Sequence, residues 1–597
     1  VRGDREYNNV EVYQYRAVGG ITGNIGALDN FGEGNWYYDA SYSYSTSNGK
    51  NSLTGLGKQQ VINSFDATLD NDGNLVCVDQ SDGCVAWDFF ADRMWQEGGG
   101  ELSEEEASYL LITREQETIV KQSVFNAFIG GDAFALPWNN EPVSFILGVE
   151  RRDEKIESNF NDVTTQGLLW GYSKDLGANG SRYINEVFGE AIFPLLKGQK
   201  FAEELTLTTS ARLTNEEFSD SESTYSVKAL YRPVEYLTLR ATQGTSYRTP
   251  NLRERFLAGT TGFNSVVDPC VVPEAARDAD DLDPNAPILY NESNDTREAR
   301  IIASCIANGV DPTAVGIEQG NDFLPSTNAE IVSGGTKNVK EEHSKARTMG
   351  FVFEQPWTED FDLTLSVTRF DIEINDSIVE PGRQFIVNQC FDNPEEPDGS
   401  SAYCGRITRG ADASIDGINA QFINIGLLTA KGTDYNIRYE QDFLIGDQNL
   451  AFTADLKATR NSERIEQILS TIDDDIGEPG SPEWRGQALF SLAYSDFTFR
   501  WASRFIQGGE EDDLGDFEED GIACDGLDTT CRAVAYTEDY WKHDVSINYS
   551  HDNYTVNFGI QNVFNEAPPR IDTDGSFGVN NIPLGVGYDL LGRTAYL

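Results

Sequence analysis

Apolar and polar residues alternate with a period of two along much of the chain. Trp36, Tyr38, Ala40, Tyr42 and Tyr44 are spaced by two, with Asp39, Ser41 and Ser43 among the residues between them. Leu205 and Leu207 alternate with Thr206 and Thr208, and Phe361, Leu363, Leu365 and Val367 alternate with Asp362, Thr364, Ser366 and Thr368. The pattern returns in Tyr435, Ile437 and Tyr439, in Phe497, Phe499 and Trp501, and in Tyr554, Val556, Phe558 and Ile560. Successive side chains of a strand point to opposite faces, so each run has one apolar face and one wet face of Thr, Asn, Arg, Asp and Gln. About eighteen such strands are predicted.

The connections alternate as well. Tight ones fall near 137–142, 194–200, 233–236, 355–360, 443–448, 495–496 and 550–553. Between them lie long ones at 47–120, 155–181, 246–345, 375–424, 460–485, 507–540 and 565–587. In an up-and-down barrel every second connection lies at the same end, so one end is predicted to carry short turns and the other the long loops. Short periplasmic turns and longer extracellular loops are the pattern of outer-membrane barrels. The predicted fold is all-β: a transmembrane antiparallel up-and-down β-barrel, occupying 1–597 as one domain. A set of soluble β-sandwiches is the competing fold, and loops of about 30 to 100 residues gathered at one end argue against it.

The cysteines support this asymmetry. Cys77 and Cys84, Cys270 and Cys305, Cys390 and Cys404, and Cys524 and Cys531 are near neighbours in sequence, and all fall in the long connections, none in a strand. They lack the CxxC spacing of a metal ribbon. Local pairs of this kind predict disulfides that staple loops in an oxidising compartment.

Composition fits. The mean hydropathy is −0.43, and no run of about 18 apolar residues exists, which excludes a helical membrane span but not a barrel. The 25 Tyr, 33 Phe and 55 Gly suit strands, girdles and turns. With 98 acids against 45 bases the net charge is −53, so nucleic acid is not expected as a partner. The acids read as a solvated surface, or as an attraction for cationic ligands. No signal peptide stands at Val1, and a mature or truncated form is expected.

Several stretches then resemble the TonB-dependent outer-membrane receptors. Ser246-Tyr247-Arg248-Thr249-Pro250-Asn251-Leu252 is similar to that family's passage from a barrel strand into an external loop. Asn338–Phe353, NVKEEHSKARTMGFVF, resembles its pattern of Asn, an acid pair and a strand rich in small residues, and Phe361–Ile378 resembles the strand that follows. Asn562-Val563-Phe564-Asn565 and Asp589-Leu590-Leu591-Gly592-Arg593 resemble the family's penultimate-strand ending and final-strand start. The resemblance implies a 22-stranded barrel in the outer membrane of a Gram-negative bacterium, filled by an N-terminal plug that the energy-coupling protein TonB pulls. No plug-like region precedes the first strand, about four strands fewer are counted, and the chain stops at Ala595-Tyr596-Leu597. Truncation at both ends, with the plug missing, is the expectation.

No catalytic constellation, Walker loop or nucleophile elbow is present, so an enzyme is not predicted and no cofactor is implied. His343, His543 and His551 have no zinc-ligand spacing, and no metal site is assigned. The acidic loop 507–540, with Glu510, Glu511, Asp512 and Asp513, lacks the ordered spacing of a calcium loop, and Asp70-Asn71-Asp72-Gly73-Asn74 reads as a turn. Trp36, Trp357 and Trp541 fit interface belts. Trp87, Trp95, Trp170 and Tyr172 have no girdle explanation and are the candidate ligand contacts. Arg93, Arg151, Arg152, Arg248 and Arg253 read as loop-packing bases.

The function expected is capture of a scarce ligand (ferric siderophore, oligosaccharide or similar) by external loops, and import driven through TonB. The partners implied are outer-membrane lipid, TonB through the plug, and the ligand. The acidic loops argue against a polyanionic ligand. A plugless specific porin and a surface adhesion or docking barrel are the alternatives; steady open conductance favours the first and partner binding without transport the second.

Overall fold

The computed structural model describes residues 8–28, 32–95, 100, 102–278, 288–317, 326–411, 413–469, 471–510, 522–523, 530–531, 536–571 and 586–597. One sheet of eighteen strands dominates. Its first eight long strands are β1 Asn8–Asn24, β2 Gly34–Leu56, β3 Leu111–Ala135, β4 Pro142–Phe160, β5 Asn179–Gln199, β6 Ala202–Glu216, β7 Glu222–Val234 and β8 Leu237–Arg248. They are followed by β9 Glu342–Glu354, β10 Phe361–Val379, β11 Ile423–Ile445, β12 Gln448–Ile468, β13 Trp484–Tyr494, β14 Phe497–Ile506, β15 Tyr540–His551, β16 Tyr554–Gln561 and β17 Thr594–Tyr596. Each pairs antiparallel with its sequence neighbour, and the remaining member, Thr471–Asp474, folds back on β12. This is the up-and-down order that the alternating connections predict. Among the described residues, β1 and β17 each carry one ladder.

Register explains the two faces. Phe353, Leu365, Ile437 and Leu456 stand side by side on β9 to β12, as do Phe499, Ile547 and Phe558 on β14 to β16. One residue along, Val352, Ser366, Asn436 and Lys457 form the neighbouring row on the other face. Because the period is two, a fixed ladder separates an apolar outer wall from a polar inner one. Trp541 stands half-exposed on the outer wall, with its ring 4.5 Å from that of Phe505. Trp357 is exposed in a short turn, and Trp36 is buried edge-on against Phe145 at 5.2 Å.

The short turns match expectation. Ser495–Asp496 joins β13 to β14, and Gly446 turns β11 into β12 with φ 65°, a left-handed conformation that glycine adopts without a Cβ clash.

The first five long loops are shorter than predicted, because the strands run on, whereas the last, expected at 565–587, spans 562–593. The connection expected at 47–120 spans only 57–110, and that at 155–181 only 161–178. The physical reason lies on β4, where the apolar outward series Phe145, Leu147, Val149 gives way to Arg151, Asp153, Lys155 and Glu157. Beyond the apolar belt both faces are polar, so alternation disappears while the backbone ladder continues. The outer charges there are paired: Arg151 with Asp153 at 2.8 Å, and Glu157 with both Lys155 and Lys121.

Two further expectations are corrected. The connection 217–221 is a short turn at the long-loop end, so that end is not uniformly elaborate. Cys77 closes a three-residue strand, Leu75–Cys77, within loop 57–110, and Cys531 lies in the two-residue strand Thr530–Cys531. Both belong to small loop hairpins and not to the barrel sheet, so loop cysteines do reach strands, though none of the barrel's own.

Candidate functional site

The loops at the long-loop end build the site, and its base is the segment Ser246–Leu252 where β8 leaves the sheet. Asn251 caps the short helix Leu252–Phe256: its Oδ1 accepts from the N–H groups of Arg253 and Glu254, and Glu254 reaches back to the Asn251 N–H at 2.6 Å. This is a capping box, which satisfies helix donors that would otherwise lack partners. Glu254 also accepts two bonds from Arg248, at 2.9 and 3.1 Å, while Arg248 donates to Glu342 at 2.6 and 2.8 Å. One guanidinium fork thus ties the end of β8 to its own helix and to the start of β9.

A buried ion network sits beside it. Arg182 on β5 donates to Glu154 at 2.7 Å, to Thr249 Oγ1 at 2.9 Å and to the Pro250 carbonyl. Arg255, only 2% exposed, places Nη2 3.5 Å from Glu216 Oε2 and its guanidinium 5.0 Å from the Phe218 ring centroid. Burial pushes the Arg255 guanidinium down from its ordinary value, and Glu216 only partly offsets this. Gly335 closes the contact. A Cβ there would lie 2.7 Å from the Leu257 nitrogen, so only glycine lets the returning chain approach this helix.

Above this base, loops 249–341 and 380–422 fold together. Strand Thr260–Val267 pairs with Ser326–Ser333, which pairs in parallel with Ile415–Asn419, which pairs with Ile407–Arg409. Helices Ala299–Ala307 and Arg383–Phe391 cover this small sheet, and Val266, Ile386, Phe391, Ile415 and Ile418 form a shared core. Cys270 is bonded to Cys305 within the first loop and Cys390 to Cys404 within the second. Gln384 bridges the loops by donating to the Val267 carbonyl at 3.0 Å and accepting from its N–H at 2.9 Å. Asp295 accepts from Arg297, from its backbone N–H and from Tyr290, which holds its carboxyl down at about 2.

Loop 57–110 forms a separate unit, in which Cys77 is bonded to Cys84. Of the four aromatics expected to meet ligand, Trp87 is buried in this loop's core and stacked 5.3 Å from Phe65. Trp95 is 66% exposed and packs edge-on against Phe89 at 5.2 Å. Trp170 and Tyr172 are exposed on loop 161–178, where Arg114 lies 5.2 Å from the Tyr172 ring centroid and Lys58 donates to the Tyr172 carbonyl. The structure therefore brings Trp87 and Trp95 into one aromatic cluster through Phe89, and Trp170 and Tyr172 against the base of the same loop.

Arg93 pairs with Glu106, and Arg152 with Glu150 at 2.7 Å. Asp70 Oδ1 accepts from the N–H groups of Asp72 and Asn74, the turn expected there. Cys524 and most of the acidic run after Glu510 lie outside the described residues, as does the side chain of Cys531. Among the described residues no group of three or more His, Cys, Asp or Glu could hold a metal. The site residues that sequence reasoning passed over are Arg182, Glu216, Glu254 and Arg255. The Asn251-x-x-Glu254 spacing was a legible capping signal; the others are distant in sequence.

Comparison with known proteins agrees with this architecture. The family model described as "TonB dependent receptor-like, beta-barrel" matches residues 2–563. No curated protein matches. Among solved structures, a mutant of the ferric enterobactin receptor PfeA from Pseudomonas aeruginosa is similar with a TM-score of 0.50 at 13% identity, over 98% of this chain and 61% of that one. The siderophore receptor PirA from Acinetobacter baumannii is similar with a TM-score of 0.48 at 12% identity, over 98% and 62%. The Serratia marcescens hemophore receptor HasR, in complex with its hemophore HasA and heme, follows with a TM-score of 0.44 at 12% identity, over 93% and 69%. The chain thus spans about three-fifths of the length of the first two. With the family model covering most of its length, the chain belongs to the TonB-dependent receptors and carries their β-barrel.

Proposed function

We propose that the protein captures a scarce ligand at the cell surface with its long loops and passes it inward by TonB-coupled energy. Proteins of this family are outer-membrane receptors rather than enzymes. The observation that carries the reading is the co-folded unit of loops 249–341 and 380–422, seated on β8 and β9 through Arg248, Glu254 and Glu342. A passive pore has no need of a second hydrophobic core built from its loops, whereas tight capture requires preorganised contacts. Rigid loops on a barrel scaffold supply them. Exposed aromatics on two other loops, Trp95 on 57–110 and Trp170 and Tyr172 on 161–178, are the ligand contacts in this reading, and an iron chelate or an oligosaccharide is the class expected. The long loops face the exterior in this reading. Coupling runs through a plug domain inside the barrel, with 1–597 serving as the barrel domain.

The test is uptake of radiolabelled ferric chelates and oligosaccharides by cells expressing the intact receptor, with and without TonB. Uptake of one class that disappears without TonB or after collapse of the proton gradient is expected. Receptor-dependent uptake that persists in both conditions overturns the coupling and points to a porin.

A further inference from the structure

On the outer wall, beyond the apolar belt at the long-loop end, most outward cations are paired. Lys50 on β2 meets Glu117 at 3.3 Å, Lys431 on β11 meets Glu463 at 2.7 Å, and Arg460 on β12 meets Glu483 at 2.6 Å. Lys121, Arg151 and Lys155 on β3 and β4 have their carboxylates as well. Lys345 and Arg347 on β9 and Arg369 on β10 differ. All three are exposed, and none has an ion pair among the described residues.

Register brings these three together on one face. Arg369 stands beside Met349, Arg347 beside Asp371, and Lys345 beside Glu373. Arg347 is therefore the diagonal neighbour of Arg369, about 7–8 Å away between backbones and within reach of a long side chain. The two local carboxylates do not neutralise the group. Glu373 turns along its own strand to accept from Asn375 Nδ2 at 2.8 Å. Asp371 stands between Arg347 and Lys431 in the ladder. Arg369 reaches only the Ser462 hydroxyl, 3.5 Å from its Nη1.

The same face turns apolar directly below. Met349, 65% exposed, is followed toward the belt by Phe351 on β9, with Val367 and Leu365 beside them on β10. Arg369 thus marks a border, with its stem on apolar surface and its guanidinium obliged to find water or a polar partner. At this height Tyr435 of β11 is stacked 5.8 Å from Trp484 of β13, as expected of an aromatic girdle. Apolar surface below and unpaired guanidinium forks above match an amphiphile with acyl chains and a phosphate headgroup. The face lies outside the barrel, so the contents of the lumen do not bear on it.

We propose that Arg347 and Arg369, with Lys345, bind the phosphate headgroup of a membrane lipid whose acyl chains lie along Met349, Phe351 and Val367. The site goes beyond the import reading: it ties the barrel to a phosphate-bearing lipid of the leaflet at the long-loop end, and it requires no transport.

The test is native mass spectrometry of the intact receptor in detergent. Dioleoyl phosphatidate is the probe, and dioleoylglycerol, with the same chains and no phosphate, is the control. Phosphatidate is expected to stay bound and dioleoylglycerol not. Glycerol 3-phosphate at equal concentration is expected not to displace it, since it lacks the chains. The double variant Arg347→Gln, Arg369→Gln is expected to weaken retention about tenfold or more. The pair Lys121→Gln, Lys155→Gln, on the same wall but outside the site, should leave it unchanged. Heat-modifiable electrophoretic mobility confirms that each variant is folded. Equal retention of the two lipids, or equal retention by the double variant, overturns the proposal. Equal weakening by the Lys121 and Lys155 pair also overturns it, since that marks diffuse attraction by the wall and not a site. Displacement by glycerol 3-phosphate overturns the lipid assignment and leaves these cations to a soluble phosphate.

Discussion

Arg409 Nη2 donates to Asp268 Oδ1 at 2.9 Å, joining residues 141 apart in sequence on two different loops. Asp268 is almost wholly buried, and the Arg409 guanidinium also lies 4.9 Å from the ring centroid of Phe391 in the shared core. The bond therefore fastens loop 249–341 to loop 380–422 from inside. Replacing Arg409 by Ala strands a buried carboxylate, which costs about 3–5 kcal/mol. Hydrogen exchange in helix Arg383–Phe391 is expected to accelerate sharply while exchange in β10 to β12 stays slow. Unchanged protection of that helix would show that the loops do not depend on one another.

The disulfides act on the same unit. Cys270 and Cys305 close a loop of 35 residues, and removing such a crosslink costs about 2–4 kcal/mol. The double change Cys270→Ser and Cys305→Ser is expected to expose loop 249–341 to limited proteolysis at protease levels that leave the native protein whole. The heat-modifiable mobility of the barrel should not change, because its sheet holds none of these cysteines. A loss of barrel mobility would contradict the separation of loop and sheet stability.

Acid should loosen the loop unit before the barrel. The Asp295 carboxyl is lowered from its ordinary value of 3.8 to about 2 by hydrogen bonds from Arg297 and Tyr290. A depressed carboxylate contributes stability in full above its unfolded value and loses it as pH falls toward the folded one. The window is therefore about pH 4 down to about pH 2, and the contribution at neutral pH is about 2 kcal/mol. Proteolytic susceptibility of loop 249–341, measured with an acid-active protease, should rise across that window. An Asp295→Asn variant should be susceptible already at pH 5, and a native-like profile in that variant would refute the assignment.

The two walls predict opposite tolerance to charge. Ile547 stands on the outer wall between Phe499 and Phe558, and Asn548 faces inward beside Thr498 and Asn557. An Arg at position 547 places a charge on the apolar belt, at a cost of about 2–4 kcal/mol near its centre. The Ile547→Arg variant should lower the denaturant midpoint of folding in lipid vesicles, and Asn548→Arg should leave it nearly unchanged. Equal effects would mean that the register assigned to β14, β15 and β16 is wrong.

Much of this architecture is written locally. Alternation in Phe361–Val367 or Tyr554–Ile560 fixes which residues share a face, because the period of a strand is two wherever it pairs. Alternating connection lengths fix the two ends, and near-neighbour cysteines mark which end carries elaborate loops. These signals need only a few residues at a time, and they sufficed for an up-and-down barrel.

Where the signal is not local, only the tertiary structure decided. Strand ends such as Arg151–Glu157 are polar on both faces, and hydrogen bonding to neighbours, not pattern, keeps them extended. The helices and mixed sheet of the loops arise because two loops supply one core, so neither alone shows an amphipathic sheet of its own. The convergence of Lys345, Arg347 and Arg369 depends on the register of the ladder that joins β9 to β10. A slip of one residue in that ladder would turn part of the group to the inner wall. Sequence thus determined the barrel and its polarity, while long-range pairing determined which charges meet, since register is a property of strands in contact and not of any one strand.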